Sequence, residues 1–159
     1  KQGSPGVPLI RSVAKHSTSA THPWARDFET KIIRAEATLR SARKLREQGF
    51  NPDVIVAHPG WGDTMFLKHV WPEARLGIYC EFYYQVGAGD HEFDPEFPFL
   101  QDPLDARCNF QIRNLHQRLH FDVANAAISP TRFQANTYPA SFRPRIDVLH
   151  DGIDTALLK

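Results

Sequence analysis

Cysteine is nearly absent from this chain. Two of its 159 residues, Cys80 and Cys108, are too few for a disulfide framework, so the fold has to rest on a buried core. Both thiols are expected to be reduced and partly buried, as in a cytoplasmic protein. An excess of one charge is also lacking. The net charge of +1 gives no reason to invoke nucleic acid or an anionic surface as the main partner. No apolar run approaches the length of a membrane span, and no signal peptide stands at the start. Repeats and low-complexity segments are missing, and no shift in composition marks a second domain. Residues 1–159 therefore read as one domain, long enough for a substantial core. The chain opens Lys1-Gln2-Gly3-Ser4 without an initiator methionine and stops abruptly at Lys159, so a piece of a longer protein is expected.

Several catalytic signatures are absent too. There is no Gly-x-Ser-x-Gly elbow, no Walker loop and no dinucleotide fingerprint. Neither cysteine has an evident base partner. Asp90, His91, Glu92, Asp94 and Glu96 crowd oxygen ligands together, but their spacing matches no calcium loop and lacks its glycine, so a solvated acidic loop is the better reading. His116 and His120 have helical i, i+4 spacing without the glutamate of a zinc protease, and read as helix-surface histidines. No metal site is expected.

What is present is an alternation of strand and helix. Val7 to Val13 reads as a strand. His22-Pro23 opens a long helix, with an apolar stripe at Phe28, Ile32, Ala35, Leu39, Ala42 and Leu45 and an exit at Gly49. The charges on that helix read as a solvated face. Val54 to Ala57 reads as a strand buried on both faces, followed by a helix from about Asp63 to Val70. A strand at Arg75 to Cys80 and a long loop from Gln85 to Gln101 come next. Asp102-Pro103 starts a second long helix, with a buried stripe at Leu104, Cys108, Ile112, Leu115, Leu119 and Val123. Ala126 to Ser129 is a strand, Pro130 to Gln134 opens a short helix that stops before Pro139, and Arg145 to Leu149 is the last strand. The fold class is α/β: a Rossmann-like, mainly parallel sheet with helices on both faces.

Ligands of such sheets sit at the carboxyl ends of the strands. The turn His58-Pro59-Gly60-Trp61-Gly62-Asp63 follows one strand end. Its glycines let the backbone approach a ligand, although a bare strand-to-helix turn would look the same. Glu81, Tyr83 and Tyr84 follow the next strand; a carboxylate there can hold sugar hydroxyls or act as a base. Ser129 and Arg132 follow a third, suited to a polar or phosphorylated ligand, with a helix cap the equal alternative.

The run Asn51 to Gly62 resembles a segment of a family 4 glycosyltransferase subgroup. Glu81-Phe82-Tyr83-Tyr84, Asp94 to Pro98, Arg113-Asn114, Ser129 to Gln134 and His150 to Thr155 are similar to further blocks, in the same order, over nearly the whole chain. The resemblance implies one half of a GT-B fold, the N-terminal acceptor-side domain, with a first strand-helix unit missing before Lys1 and the nucleotide-sugar domain following Lys159. It implies a retaining transfer of a sugar from a nucleotide diphosphate sugar, with no metal or other cofactor. Partners would be the acceptor, the nucleotide sugar and the chain's own C-terminal domain, in glycan or polysaccharide biosynthesis. His58, Gly60, Trp61, Gly62, Asp63, Glu81, Tyr83, Ser129 and Arg132 would face the substrates, and Asp151 and Gly152 would lie near the hinge. Many relatives carry histidine where this chain has Glu81. Peripheral membrane association, as in relatives with lipid acceptors, and a homodimer through the open sheet edge are the remaining partner options. The alternatives are a non-enzymatic α/β ligand-binding module and a GT-B sugar-nucleotide epimerase.

Overall fold

Proline, glycine and short polar side chains set where the elements begin and end. The computed structural model describes residues 8–11, 15, 22–87 and 102–157. Helix α1, Pro23–Glu47, starts at a proline behind His22, whose Nδ1 accepts the Trp24 N–H. It exits through Gly49 at φ 88°, a left-handed position that favours glycine. Strand β1, Val54–Ala57, leads into a 3₁₀ turn, Pro59–Trp61, and then into α2, Leu67–Val70. Strand β2 is Arg75–Tyr79. Helices α3, Pro103–Arg113, and α4, Leu115–Val123, follow, then β3, Ala126–Ser129, α5, Arg132–Thr137, and β4, Ile146–Val148.

The four strands lie in the order β1-β2-β3-β4, all parallel. Ala57 pairs with Ile78, Ile78 with Ala127, and Ala127 with Ile146. This register brings the carboxyl ends of all four strands to one edge of the sheet. Ile55, Leu76, Ile78, Ala127 and Ile146 face one hydrophobic core shared with Phe121 and Tyr138. The arrangement is α/β and Rossmann-like, consistent with half of a GT-B fold.

Several local expectations need correcting. Strand β1 is not buried on both faces: Ile55 and Ala57 point inward, while Val54 and Val56 are 59% and 80% exposed. The β1 edge has β2 as its one partner among the described residues. The helix expected from Asp63 begins only at Leu67, because residues 63–66 form turns. Residues 8–11 are not in a strand; the rest of the Val7 to Val13 expectation, and the acidic loop at 90–96, fall outside the described residues.

The second long helix is two. Asn114, 1% exposed, interrupts it. Its amide accepts the Tyr84 N–H at 3.1 Å and donates to the Tyr84 carbonyl at 2.7 Å. Those bonds tie the helix pair to the chain leaving β2. The buried face is consequently Ala106, Phe110, Asn114, Gln117 and Phe121, while Leu104, Leu119 and Val123 are exposed. His116 and His120 are fully buried, not on the surface. In α1 the buried set is Lys31, Ala35, Ala37 and Ala42, and Ile32 is turned outward.

The start of α3 gives a simple test. Asp102 accepts the N–H groups of Leu104 at 2.8 Å and Asp105 at 3.3 Å. Asp102→Ala is expected to cost about 1 kcal/mol and lower the melting temperature by about 3 °C. A melt unchanged within 1 °C would show that the cap contributes nothing.

Candidate functional site

A cleft of about 380 Å³ opens at the carboxyl edge of β1 and β2, walled on the far side by α1 and the end of α3. His58, Gly60 and Trp61 come from the turn after β1, and Glu81 and Tyr84 from the segment after β2. Asp27, Thr30, Lys31 and Arg34 come from α1, and Arg113 from α3. A wider groove of about 570 Å³, lined by Leu39, Arg43 and His69 among others, lies along α1 and α2, away from the strand ends.

The turn is built around two glycines with different duties. Gly60 donates its N–H to His58 Nδ1 at 3.2 Å. A Cβ on Gly60 would sit 2.8 Å from His58 Cε1. Gly62 has φ 80°, and a Cβ there would sit 2.6 Å from Lys31 Cβ and 3.0 Å from the Lys31 carbonyl oxygen. Gly62 thus lets the turn press directly on α1, which brings the charged face of that helix to the cleft.

Since His58 Nδ1 accepts a hydrogen bond from the Gly60 N–H, the neutral ring carries its hydrogen on Nε2. That N–H donates to Glu81 Oε2 at 3.0 Å. The pair holds the Glu81 carboxylate over the cleft with its other oxygen open to a hydroxyl. His58 also stacks on Tyr79, ring centroids 5.5 Å apart. The Tyr79 hydroxyl donates to both carboxylate oxygens of Asp151, at 2.8 and 3.0 Å, and this bond pushes the phenol up to about 12. One chain of contacts therefore runs from Glu81 through His58 and Tyr79 to Asp151 and the left-handed Gly152.

Asp63 is not among the residues that line the cleft. Its carboxylate takes a two-pronged bond from Arg34, Nε at 3.0 Å and Nη2 at 2.8 Å. Arg34 in turn lies 5.4 Å from the centre of the Trp61 ring, which is 63% exposed. The result is an exposed aromatic ring with a cation beside it at the cleft. Lys31, 7% exposed, pairs with Asp27; burial lowers its pKa, the Asp27 partner opposes that, and the nearby Arg113 charge adds to the lowering.

A smaller chamber of about 60 Å³ adjoins the cleft and shares Lys31, His58, Glu81 and Tyr84 with it. His116 and Gln117 line it as well. Gln117 donates to the Phe82 carbonyl at 2.8 Å, which fixes the Glu81–Tyr84 segment. Among the described residues the His116 Nδ1 atom is buried with no hydrogen-bond partner.

A family model described as the glycosyl transferase family 4 group matches residues 1–158. The chain belongs to that family. A search of curated proteins finds no match to it. Within this family 4 glycosyltransferase domain, His58, Gly60, Trp61 and Glu81 line one cleft, while Gly62 and Asp63 do not line it, Asp63 being bound to Arg34. Tyr83 does not join them. It is 8% exposed and packs against Tyr138 and Phe142, and Tyr84 takes the place at the cleft. Ser129 is completely buried, its position in β3 pointing to the core with Ala127. Arg132 is exposed in the first turn of α5, where Thr131 supplies the cap. Neither residue lines the cleft. Lys31, Arg34 and Arg113 escaped the sequence reading. The signal for the first two was the Asp27, Lys31, Arg34 spacing, which puts three charges on one side of α1 beside the small residue Ala35. Among the described residues no cluster of three or more potential metal ligands occurs, and no helix is long and apolar enough to cross a membrane.

Proposed function

We propose that this glycosyltransferase domain is the acceptor-side half of a retaining enzyme that moves a sugar from a nucleotide diphosphate sugar to a sugar-bearing acceptor. The observation that carries the reading is the cleft at the strand ends, where an exposed tryptophan face and an oriented carboxylate stand together. Trp61 stacks on the acceptor ring. Glu81, aimed by His58, accepts a hydrogen bond from one acceptor hydroxyl and so points that oxygen at the donor's anomeric carbon. The new glycosidic bond forms there as the bond to the diphosphate oxygen breaks, and the hydroxyl proton passes to the departing diphosphate oxygen. Gly60 and Gly62 shape the turn, and Asp63 keeps Arg34 beside Trp61. The donor is held by a C-terminal domain that closes over this rim, with Asp151 and Gly152 near the hinge. The Tyr79–Asp151 bond links that hinge to His58.

The chain itself can be tested with simple sugars. Methyl glycosides titrated onto it are expected to change Trp61 fluorescence, with Trp61→Phe removing the change. Glu81→Gln is expected to weaken binding about tenfold, the size of one hydrogen bond to a charged group. Absence of any response to neutral or charged glycosides would overturn the acceptor reading. For the donor, UDP, GDP and ADP titrated onto the intact enzyme should give one tight complex.

A further inference from the structure

Three cations line the cleft, and they are not equivalent. Arg34 is closed by the two-pronged bond to Asp63, and Lys31 by Asp27. The Arg113 guanidinium has no hydrogen bond or ion pair among the described residues. Its guanidinium carbon lies 3.8 Å over the centre of the Tyr84 ring, a stacked arrangement that occupies one flat side and leaves the N–H edge unused. The platform is rigid, because Asn114, the next residue, clamps the Tyr84 backbone with two hydrogen bonds. Lys31 is close enough for its charge to feel Arg113. Two like charges held near each other at the wall of a cleft, one of them with its planar donor edge presented, form a receptor for an oxyanion.

We propose that the acceptor carries an anionic group, a carboxylate or a phosphate, which binds Arg113 while the sugar ring lies on Trp61 and a hydroxyl bonds Glu81. This inference rests on the acceptor reading above and adds to it the charge of the substrate. Arg113 sets specificity here. Its donor edge pairs with two oxygens of the anion, and Lys31 adds positive potential from the floor. Neutral sugars reach Trp61 and Glu81 alone.

The test uses this chain, amide NMR at fixed ionic strength, and four probes: methyl β-glucoside, methyl β-glucuronide, glucose 6-phosphate and inorganic phosphate. At least one charged sugar is expected to bind about tenfold or more tightly than the glucoside. A stronger glucuronide identifies the anion as a carboxylate, a stronger glucose 6-phosphate as a phosphate. Arg113→Gln should reduce the charged sugars to the affinity of the glucoside and leave the glucoside unchanged. Arg113→Lys, which keeps the charge but loses the planar edge, should fall between. Equal binding of neutral and charged sugars would overturn the inference and leave the acceptor reading standing. So would an Arg113→Gln variant that melts normally and loses all sugars equally. Inorganic phosphate binding as tightly as the charged sugars would keep Arg113 as an anion receptor and remove the sugar acceptor. No binding by any probe would remove both.

Discussion

Gly62→Ala is expected to destabilise the domain by about 3 kcal/mol. Two costs combine. An alanine at φ 80° sits in the left-handed region, at roughly 1–2 kcal/mol. Its Cβ would also lie 2.6 Å from Lys31 Cβ and 3.0 Å from the Lys31 carbonyl oxygen, so turn and helix must separate. Forced overpacking of this kind costs about 1–3 kcal/mol. The obstacle includes backbone, which cannot swing aside as a side-chain tip can. For a domain of this size about 3 kcal/mol lowers the melting temperature by about 10 °C. Gly60→Ala provides the contrast. Its Cβ would meet the His58 ring, 2.8 Å from Cε1, and that ring can rotate. About 1 kcal/mol is expected there, with loss of the Gly60 N–H bond to His58 and of the aim of Glu81. Thermal melts beside glycoside titrations check both. Gly62→Ala should fail in stability and binding, Gly60→Ala mainly in binding. A Gly62→Ala melt within 2 °C of the parent would show that the turn does not press on α1.

Much of the architecture was legible because local chemistry and global position agree. Pro23, Gly49, Asp102 and Pro103 mark element ends for reasons internal to a few residues, and those ends are where they were expected. The strands at 54–57, 75–79, 126–129 and 146–148 announce themselves by short runs rich in apolar residues. What stayed hidden depends on partners distant in sequence. The α3–α4 stripe was assigned to Leu104, Leu119 and Val123 because apolar residues at helical spacing are the usual core signal. Here Asn114, Gln117 and His120 took the inner face, since each satisfies its polar atoms inside the fold: Asn114 on the Tyr84 backbone, Gln117 on the Phe82 carbonyl and the Tyr138 hydroxyl, His120 on the His116 carbonyl and the Thr64 hydroxyl. A hydrophobic pattern cannot see a core whose polar members pair with groups such as those of Tyr84, Phe82 and Thr64, thirty or more residues away in sequence. Ser129 was an avoidable miss. In β3 the two-residue alternation already puts it on the same side as Ala127. Tyr83 and Tyr84 were not separable, because the chain has left the strand and the alternation of β2 no longer predicts which ring turns inward.

The buried histidines make stability depend on pH in a definite direction. Burial, aided by the charge of Lys31 and by His120, pushes His116 down to about 3, and burial lowers His120 as well. In the unfolded chain both take up protons below about 6.5. The unfolded state therefore binds more protons as the pH falls. The stability is fully present above about 6.5 and drains away toward 3, at about 1.4 kcal/mol per pH unit from His116 alone. Urea unfolding at pH 7.5 and pH 5.0 is expected to differ by about 2 kcal/mol or more. The two histidines separate on substitution. His120 donates from Nδ1 to the His116 carbonyl at 2.7 Å and accepts the Thr64 hydroxyl at Nε2 at 2.8 Å, so His120→Leu strands two partners and costs about 2 kcal/mol at neutral pH. Among the described residues His116 Nδ1 has no partner to strand. His116→Leu is expected to be neutral or stabilising at pH 7.5 and to flatten the loss on acidification. An unchanged acid slope in that variant would mean that His116 is not held neutral inside the fold. A steep loss at pH 7.5 would mean that its ring makes a bond essential to the floor of the cleft.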